Sequence, residues 1–275
     1  MRPPLPANSP IDDTRQSGWL TSFSGYHNRI DAHSIESWLA QFGPHDQDLA
    51  ARVLDAVLFL PPAEMANRLR TGLFGLPGWG ISPAARIGRW RFAAFSSSAG
   101  ESGDSMLHLL RRSAGLSAAS NGPLFIYKSE LFKEQLSPND TVVFVDDFAG
   151  TGDQATTAWT ENISELLPRL PTVYLLLVAA NEQAIARIES STPLRVVPSI
   201  RLGSSEDVFS PACPHFTDAE KGTILSYNAI ADPRRPRGYG ACGNLIVFAH
   251  NAPNNSIPVL RASHKKWQGL FRIAL

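Results

Sequence analysis

Two adjacent carboxylates and a turn of small residues form the most specific chemical pattern in this sequence. The apolar residues 142–145 lead directly into Asp146 and Asp147, and residues 148–152 read FAGTG. Such a run predicts a strand buried on both faces, and open α/β sheets bind ligands where these strands end. The turn can direct several backbone N–H groups at one anion, and the following helix N-terminus favours negative charge. Because the two carboxylates can also accept hydrogen bonds from sugar hydroxyls, the segment predicts a ribose-phosphate site.

Three other interpretations of this segment stay open. An apolar strand ending in Asp-Asp resembles the Mg²⁺-binding strand of nucleoside triphosphatases, although the GxxxxGK[ST] loop of those enzymes is absent from the sequence. An acidic receiver-like pocket also uses strand-end carboxylates, but it does not require the glycine and threonine turn. The purely structural alternative is an Asp pair that caps the next helix, with glycines present only for a tight turn.

A second segment of small residues, SSSAGESGDS at 96–105, follows a predicted strand at 92–95 and precedes a predicted helix. Its hydroxyls and glycine amides can bind a second anion, such as pyrophosphate, opposite the first. The alternative is a flexible connection, which is the commoner role of a Ser/Gly loop. The position of this segment one strand before the Asp-Asp pair favours the binding interpretation.

The stretch FVDDFAGTG resembles the signature with which type I phosphoribosyltransferases bind 5-phosphoribosyl 1-diphosphate (PRPP). The wider sequence is similar to PRTase-CE, the phosphoribosyltransferase-like domain of prokaryotic conflict systems, some members of which accompany retrons and other antiphage modules. The resemblance covers about residues 34–272 and is carried by QFGPHDQDLAARVLDAVLFL, the loop SSSAGESGDS, FVDDFAGTGDQ followed by Trp159, and NLIVFAHNAPNNSIPVL with KKWQGLF.

The resemblance implies a role for each residue of the two segments. Asp146 and Asp147 would be the catalytic pair and bind the ribose 2′- and 3′-hydroxyls. The 5′-phosphate would be bound by Ala149, Gly150, Thr151 and Gly152. Pyrophosphate, with the Mg²⁺ that accompanies PRPP, would meet Ser97, Ser98, Ala99, Gly100, Ser102 and Gly103. No side chain is assigned as a direct metal ligand, and Gln154 replaces the usual Thr or Ser at the end of the phosphate loop, which predicts weaker or altered phosphate binding.

The resemblance also implies a function. We expect a phosphoribosyltransferase, that is, a glycosyltransferase that binds PRPP or a related ribose phosphate together with Mg²⁺. Its expected role is that of a nucleotide-modifying effector or accessory protein in antiphage defence, as in retron-type systems, with other defence-system proteins or RNA as partners. The alternative is a non-catalytic module on the same fold that senses a nucleotide or binds a partner, and Gln154 favours that alternative.

Other polar residues carry weaker patterns. Lys128 and Lys133 can steady a leaving pyrophosphate, but exposed lysines are commonly solvated surface groups. His250 and Asn251 follow an apolar run where an acceptor can bind, although Asn is also an ordinary turn residue. The short basic clusters at 234–237 and 265–266 can contact RNA, DNA or a protein, or remain solvated.

The elements around these segments predict an α/β protein. Apolar residues at helical spacing occur over 35–60 and 65–73, and GLFGLPGWGISP then marks a loop or domain joint. A largely parallel sheet flanked by helices is predicted from the apolar runs at 92–95, 124–127, 142–145, 173–180, 195–200 and 245–248. The predicted division is a flexible N-terminal arm at 1–33, a helical extension at 34–75 and a type I phosphoribosyltransferase-like α/β domain at 76–275.

The composition excludes several classes of protein. The 275 residues are 43% hydrophobic and 18% charged, so the chain is neither disordered nor fibrous. Twenty-five Lys and Arg balance 25 Asp and Glu, which removes a whole-molecule attraction to nucleic acid or anionic membrane. No CxxC motif or Cys/His cluster accompanies Cys213 and Cys242, so the cysteines predict no metal site. Because no apolar run approaches the roughly 18 residues of a membrane helix, we expect a cytoplasmic protein without membrane contact.

Overall fold

A computed structural model describes residues 11–95 and 102–272. The α-helices in these ranges are α1 (Asp13–Ser22), α2 (Ala32–Leu39), α3 (Gln47–Ala56), α4 (Pro62–Phe74), α5 (Ser102–Ser113), α6 (Asp153–Ala158), α7 (Glu182–Ser191), α8 (Asp218–Ala231) and α9 (Pro258–Arg261). The strands are β1 (Leu58–Leu60), β2 (Trp90–Ala94), β3 (Thr141–Ala149), β4 (Thr172–Asn181), β5 (Arg195–Leu202), β6 (Ile246–Phe248), β7 (Ser263–His264) and β8 (Trp267–Gln268). The chain divides into two compact units. Unit 2 is Ala63–Leu202, and unit 1 contains the described residues that precede and follow unit 2 in the sequence.

Unit 2 contains a parallel sheet of four strands in the described residues, in the order β2-β3-β4-β5. The inner strands β3 and β4 are buried along nearly their whole length, which explains why their sequences are continuous apolar runs rather than alternating ones. Parallel neighbours require crossover connections. Helix α5 lies in the connection between β2 and β3, and α7 lies in the connection between β4 and β5.

The helices of unit 2 bury one apolar face each, as amphipathic helices of a globular domain do. Helix α4 buries Met65, Leu69 and Leu73 at helical spacing, as the sequence predicts. Helix α7 buries Ala184, Ile185 and Ile188. Removing each large aliphatic side chain from water stabilises the unit by about 1.5–3 kcal/mol, so these faces fix the helices that flank the sheet.

The core of unit 1 contains residues that precede unit 2 in the sequence and residues that follow it. Trp38 in α2 and Trp267 in β8 both donate their indole N–H to the carbonyl oxygen of Val259, at 2.8 and 3.0 Å. In addition, β1 pairs in parallel with β6, with Leu58 opposite Ile246. The first helices therefore pack with the last strands rather than forming a separate extension.

The structure confirms the predicted fold class, a mixed α/β protein with parallel strands flanked by helices. Helix α8 begins with a capping box formed by Thr217 and Glu220. No helix in residues 11–95 and 102–272 combines the length and apolar character needed to cross a bilayer.

Several predicted elements differ in the structure. Part of the predicted arm forms α1. The indole N–H of the buried Trp19 donates to Oδ1 of Asp55 at 2.7 Å, and this bond holds the helix on the core of unit 1. The predicted helix ending at residue 60 stops at Ala56, and Leu58–Leu60 instead pairs with Ile246–Phe248 in a separate sheet of unit 1. Residues 124–127 form no strand of the four-stranded sheet, and Phe125 makes one isolated bridge with Phe92.

Candidate functional site

The carboxylates of Asp146 and Asp147 lie near the carboxyl end of β3, an inner strand of the unit 2 sheet. Each residue is 8% exposed. The register between β3 and β4, in which Asp146 lies opposite Leu177, fixes the position of the two Asp residues along the sheet. Buried carboxylates are costly unless they are hydrogen-bonded or bind a ligand, so a pair of them at a strand end is a candidate functional site.

Ser102 connects the acidic pair to the second predicted segment. Its hydroxyl donates to Oδ1 of Asp146, with 2.7 Å between the two oxygens, and Ser102 is the first residue of α5. The backbone N–H of Asp147 donates to the same Oδ1 at 2.9 Å. Two residues that the sequence assigns to different subsites are therefore in direct contact.

Burial, together with the neighbouring Asp147 carboxylate, raises the pKa of Asp146 to about 8. The hydrogen bond from Ser102 and the backbone bond from Asp147 act in the opposite direction but do not outweigh burial. Burial and the neighbouring charge therefore favour the protonated form of Asp146. A protonated carboxyl has an O–H donor as well as acceptor oxygens, so the pair can both donate to and accept from sugar hydroxyls.

The turn after β3 is shaped by Gly152. This residue has φ +81°, and a Cβ placed on it would lie 3.0 Å from the carbonyl oxygen of Ala184 and 3.1 Å from Ile188 Cγ1. Both the left-handed backbone and the close approach of α7 require glycine at this position. The turn therefore lies tightly against α7.

Hydrogen bonds from side chains hold the same turn. The hydroxyl of Thr151 donates to Oδ2 of Asp153 at 2.9 Å, and the backbone N–H of Asp153 donates to that hydroxyl at 3.3 Å. Arg187 of α7 forms an ion pair with Asp153 at 2.6 Å. The Thr151 hydroxyl that the sequence assigns to phosphate is therefore engaged within its own loop in this structure.

Asn181, at the end of β4, is a site residue that the sequence analysis missed. Its side-chain amide donates to the carbonyl oxygen of Gly150 at 3.0 Å, and the residue is buried. A polar residue closing a long apolar run on the neighbouring strand is the signal that points to it, because the carboxyl ends of parallel strands meet at one edge.

Comparison with known proteins gives the family of this chain. The sequence profile of the PRTase-CE family matches residues 35–272. The chain belongs to the PRTase-CE family. This finding confirms the resemblance seen in the sequence, and it makes the chain a phosphoribosyltransferase-like protein.

Other comparisons with this PRTase-CE protein are remote. A crystal structure of APRTase from Giardia lamblia complexed with 9-deazaadenine is 13% identical, with a TM-score of 0.33, over 51% of this chain and 79% of that chain. No curated protein has a significantly similar sequence.

The remaining predicted residues of the PRTase-CE site have different surroundings. Gly103 is buried in the first turn of α5. Lys128 donates to the carbonyl oxygen of Phe95 at 3.2 Å, and Lys133 is exposed beside Glu130 at 3.5 Å. His250 and Asn251 belong to unit 1. Four predicted pyrophosphate residues lie outside the described part of the chain: Ser97, Ser98, Ala99 and Gly100.

The described part of the chain holds no group of three or more His, Cys, Asp or Glu side chains placed to bind a metal ion. Mg²⁺ keeps several waters and is commonly bound through one or two carboxylates together with substrate phosphates.

Proposed function

We propose that this PRTase-CE protein binds PRPP with its accompanying Mg²⁺ and transfers or releases the phosphoribosyl group. The observation that supports the proposal is the buried acidic pair, Asp146 and Asp147, near the carboxyl end of an inner parallel strand, with a glycine turn after the strand ends at Ala149. In this proposal the carboxyl groups bind the ribose 2′- and 3′-hydroxyls. The backbone amides of residues 149–152 bind the 5′-phosphate.

The proposed reaction is a substitution at the anomeric carbon. The bond between C1 and the diphosphate oxygen breaks, and its electron pair leaves with diphosphate. An acceptor atom supplies the new electron pair to C1 and releases any proton it carries. Positive charge develops on the ribose ring in the transition state, and in this proposal the carboxylate of Asp147 stabilises it.

Each part of the protein acts by position. Asp146 and Asp147 orient the ribose by its hydroxyls, and the glycine turn fixes the opposite end of the sugar. Bound Mg²⁺ would neutralise charge on the leaving diphosphate. Family membership supports a role as an effector or accessory protein in antiphage defence, with a defence protein or RNA as partner. No residue is required as a covalent nucleophile.

A second candidate function is a sensor that binds the same ligand without turnover. Gln154 replaces the usual hydroxyl residue of the phosphate loop, and the Thr151 hydroxyl is already bonded to Asp153 at 2.9 Å. Both features reduce the number of hydroxyl donors for a phosphate. Fewer donors orient a bound ribose phosphate less firmly for reaction, so the loop favours a protein without turnover.

Calorimetric titration with PRPP and Mg²⁺ tests the proposal. The Asp146→Asn, Asp147→Asn double variant should lose at least about tenfold in affinity, because a neutral hydrogen bond contributes about 0.5–1.5 kcal/mol and one to a charged group about 1.5–3 kcal/mol. Asp12→Asn, Asp13→Asn is the matched control, since it changes another adjacent Asp pair and Asn also caps α1. Absence of binding to the folded wild-type protein would overturn the proposal.

Pyrophosphate release separates the two candidate functions. An enzyme should release pyrophosphate from PRPP when a suitable acceptor or water is present, and the double variant should not. A sensor should bind PRPP saturably with no release above the uncatalysed rate. Purine and pyrimidine bases, nucleosides and RNA are the acceptors to screen first.

A further inference from the structure

The contact between Ser102 and Asp146 joins two halves of the proposed PRPP site. Ser102 belongs, with Gly103, to the residues assigned to diphosphate, whereas Asp146 is assigned to the ribose hydroxyls. In the structure the Ser102 hydroxyl donates to Oδ1 of Asp146 at 2.7 Å. That oxygen is one of the acceptors that a ribose hydroxyl would need.

A serine hydroxyl has a single proton to donate, so Ser102 can serve one strong acceptor at a time. Diphosphate oxygens carry full negative charge and form charge-assisted hydrogen bonds about twice as strong as neutral ones. Asp146 is a weaker competitor, because its burial and the nearby Asp147 carboxylate favour its protonated form. A diphosphate group bound beside Ser102 would therefore take the hydroxyl from Asp146.

We propose that Ser102 is a positioning residue that couples the diphosphate and ribose halves of the site by donating its hydroxyl to Asp146 in the free protein and to diphosphate in the complex. The transfer frees one acceptor position on Oδ1 of Asp146 for a ribose hydroxyl, while the Asp147 N–H keeps its bond to the same oxygen. Diphosphate then strengthens ribose binding, and by linkage ribose strengthens diphosphate binding equally. This inference rests on the proposed function.

The test measures the two halves of the substrate separately. Ribose 5-phosphate is titrated calorimetrically into the full-length protein, with and without saturating Mg²⁺-pyrophosphate. We expect pyrophosphate to lower the Kd of ribose 5-phosphate about tenfold in the wild-type protein, a typical coupling of two sites. In Ser102→Ala the serine donor is missing from the start, although the Asp147 N–H still donates to Oδ1, so the ratio of the two Kd values should fall to about one.

Two further variants distinguish this role from a structural one. Ser102→Thr keeps a hydroxyl and should retain most of the coupling. Ser113→Ala, at the other end of α5, removes a hydroxyl that bonds only to the Leu110 carbonyl in the described structure, and it should leave the coupling unchanged. Ser102 and Ser113 are the two end residues of α5, so a general loss of helix stability should affect the coupling in Ser113→Ala as well as in Ser102→Ala. Loss of coupling in Ser102→Ala alone therefore indicates the hydroxyl of Ser102 itself.

The outcomes are separable. If wild-type protein binds neither ribose 5-phosphate nor pyrophosphate, the proposed function fails and this inference fails with it. If both ligands bind and the ratio of Kd values is the same in wild-type protein and Ser102→Ala, the coupling role is wrong while the proposed function stands. Loss of coupling in Ser102→Ala, with retention in Ser102→Thr, supports the inference.

Discussion

The side-chain amide of Asn181 donates a hydrogen bond to the backbone carbonyl of Gly150, with 3.0 Å between nitrogen and oxygen. Asn181 ends β4, and Gly150 follows the end of β3. The bond therefore ties the proposed phosphate loop to the neighbouring strand. A loop can direct its N–H groups at an anion only when its carbonyl groups are held in other directions, and Asn181 holds one of them.

Replacing Asn181 should weaken both folding and ligand binding. Asn181→Ala leaves the Gly150 carbonyl without this donor, which should lower the free energy of unfolding by about 1–3 kcal/mol. We expect the Kd of PRPP to rise about tenfold, because this carbonyl then turns toward the phosphate. Calorimetry and urea unfolding measure the two effects. Asn139→Ala changes an exposed Asn of the same unit and should alter neither, whereas equal PRPP affinity in both variants would contradict the role of Asn181.

A methyl group at Gly152 should disturb the same loop from the opposite side. Gly152→Ala places a side chain in a left-handed conformation, which costs about 1–2 kcal/mol, and it brings Cβ to 3.0 Å from the Ala184 carbonyl oxygen. Gly115→Ala is the matched control, since Gly115 has φ +71° with nothing within 4 Å of the added Cβ. Thermal unfolding should show a larger loss for Gly152→Ala, and only that variant should bind PRPP more weakly. Equal losses in the two variants would exclude a packing role for Gly152.

The ionisation of Asp146 should make the protein less stable as pH rises. Burial and the Asp147 carboxylate raise the pKa of Asp146 to about 8, above the ordinary value that it regains on unfolding. The native state therefore holds the proton more tightly than the unfolded state, and this contribution to stability is lost between about pH 4 and pH 8. Asp146→Asn should remove that loss. Urea unfolding should show the variant gaining stability relative to wild type at pH 8.5 compared with pH 5, and a difference independent of pH would contradict the prediction.

Asp140 should show the opposite dependence on pH. Burial disfavours its ionised form, but hydrogen bonds from Arg89 and Ser137 outweigh burial and hold the pKa of Asp140 below its ordinary value. Its contribution is therefore complete above the unfolded pKa and is lost as pH falls through the lower folded pKa. Asp140→Asn should cost about 1.5–3 kcal/mol at pH 7, the range for hydrogen bonds to charged groups, and less at pH 3. Guanidinium unfolding at the two pH values measures this, and a larger cost at pH 3 would contradict it.

Local sequence patterns were sufficient to predict the inner strands and the acidic pair. The runs that became β3 and β4 are apolar throughout because both faces of these strands are buried. The turn after β3 is also predictable from its glycines, because Gly152 adopts a positive φ that other residues rarely take. Strand identity follows from such patterns alone, but β3 continues through Asp146 and Asp147 to Ala149 instead of ending before the acidic pair.

Features that depend on distant partners were not predictable in this way. Leu58–Leu60 continues a helical pattern in sequence and becomes a strand because Ile246–Phe248 pairs with it. The Asn181 contact with Gly150 depends on the register between β3 and β4, in which Ala149 lies opposite Ala180. A short apolar run such as 124–127, which follows Pro123, has no local property that separates a strand from a buried turn.

The contribution of two distant segments to unit 1 has a consequence for synthesis on the ribosome. Residues before Ala63 emerge first, but their partner strand β6 and the Val259 carbonyl follow only after the whole of unit 2. Until then the apolar faces of α2 and α3, including Ile35 and Leu54, lack their native cover. A nascent chain that stalls after Leu202 therefore carries every strand of the four-stranded sheet and an unprotected pair of helices. A chaperone that recognises exposed apolar surface would therefore bind the nascent chain at α2 and α3.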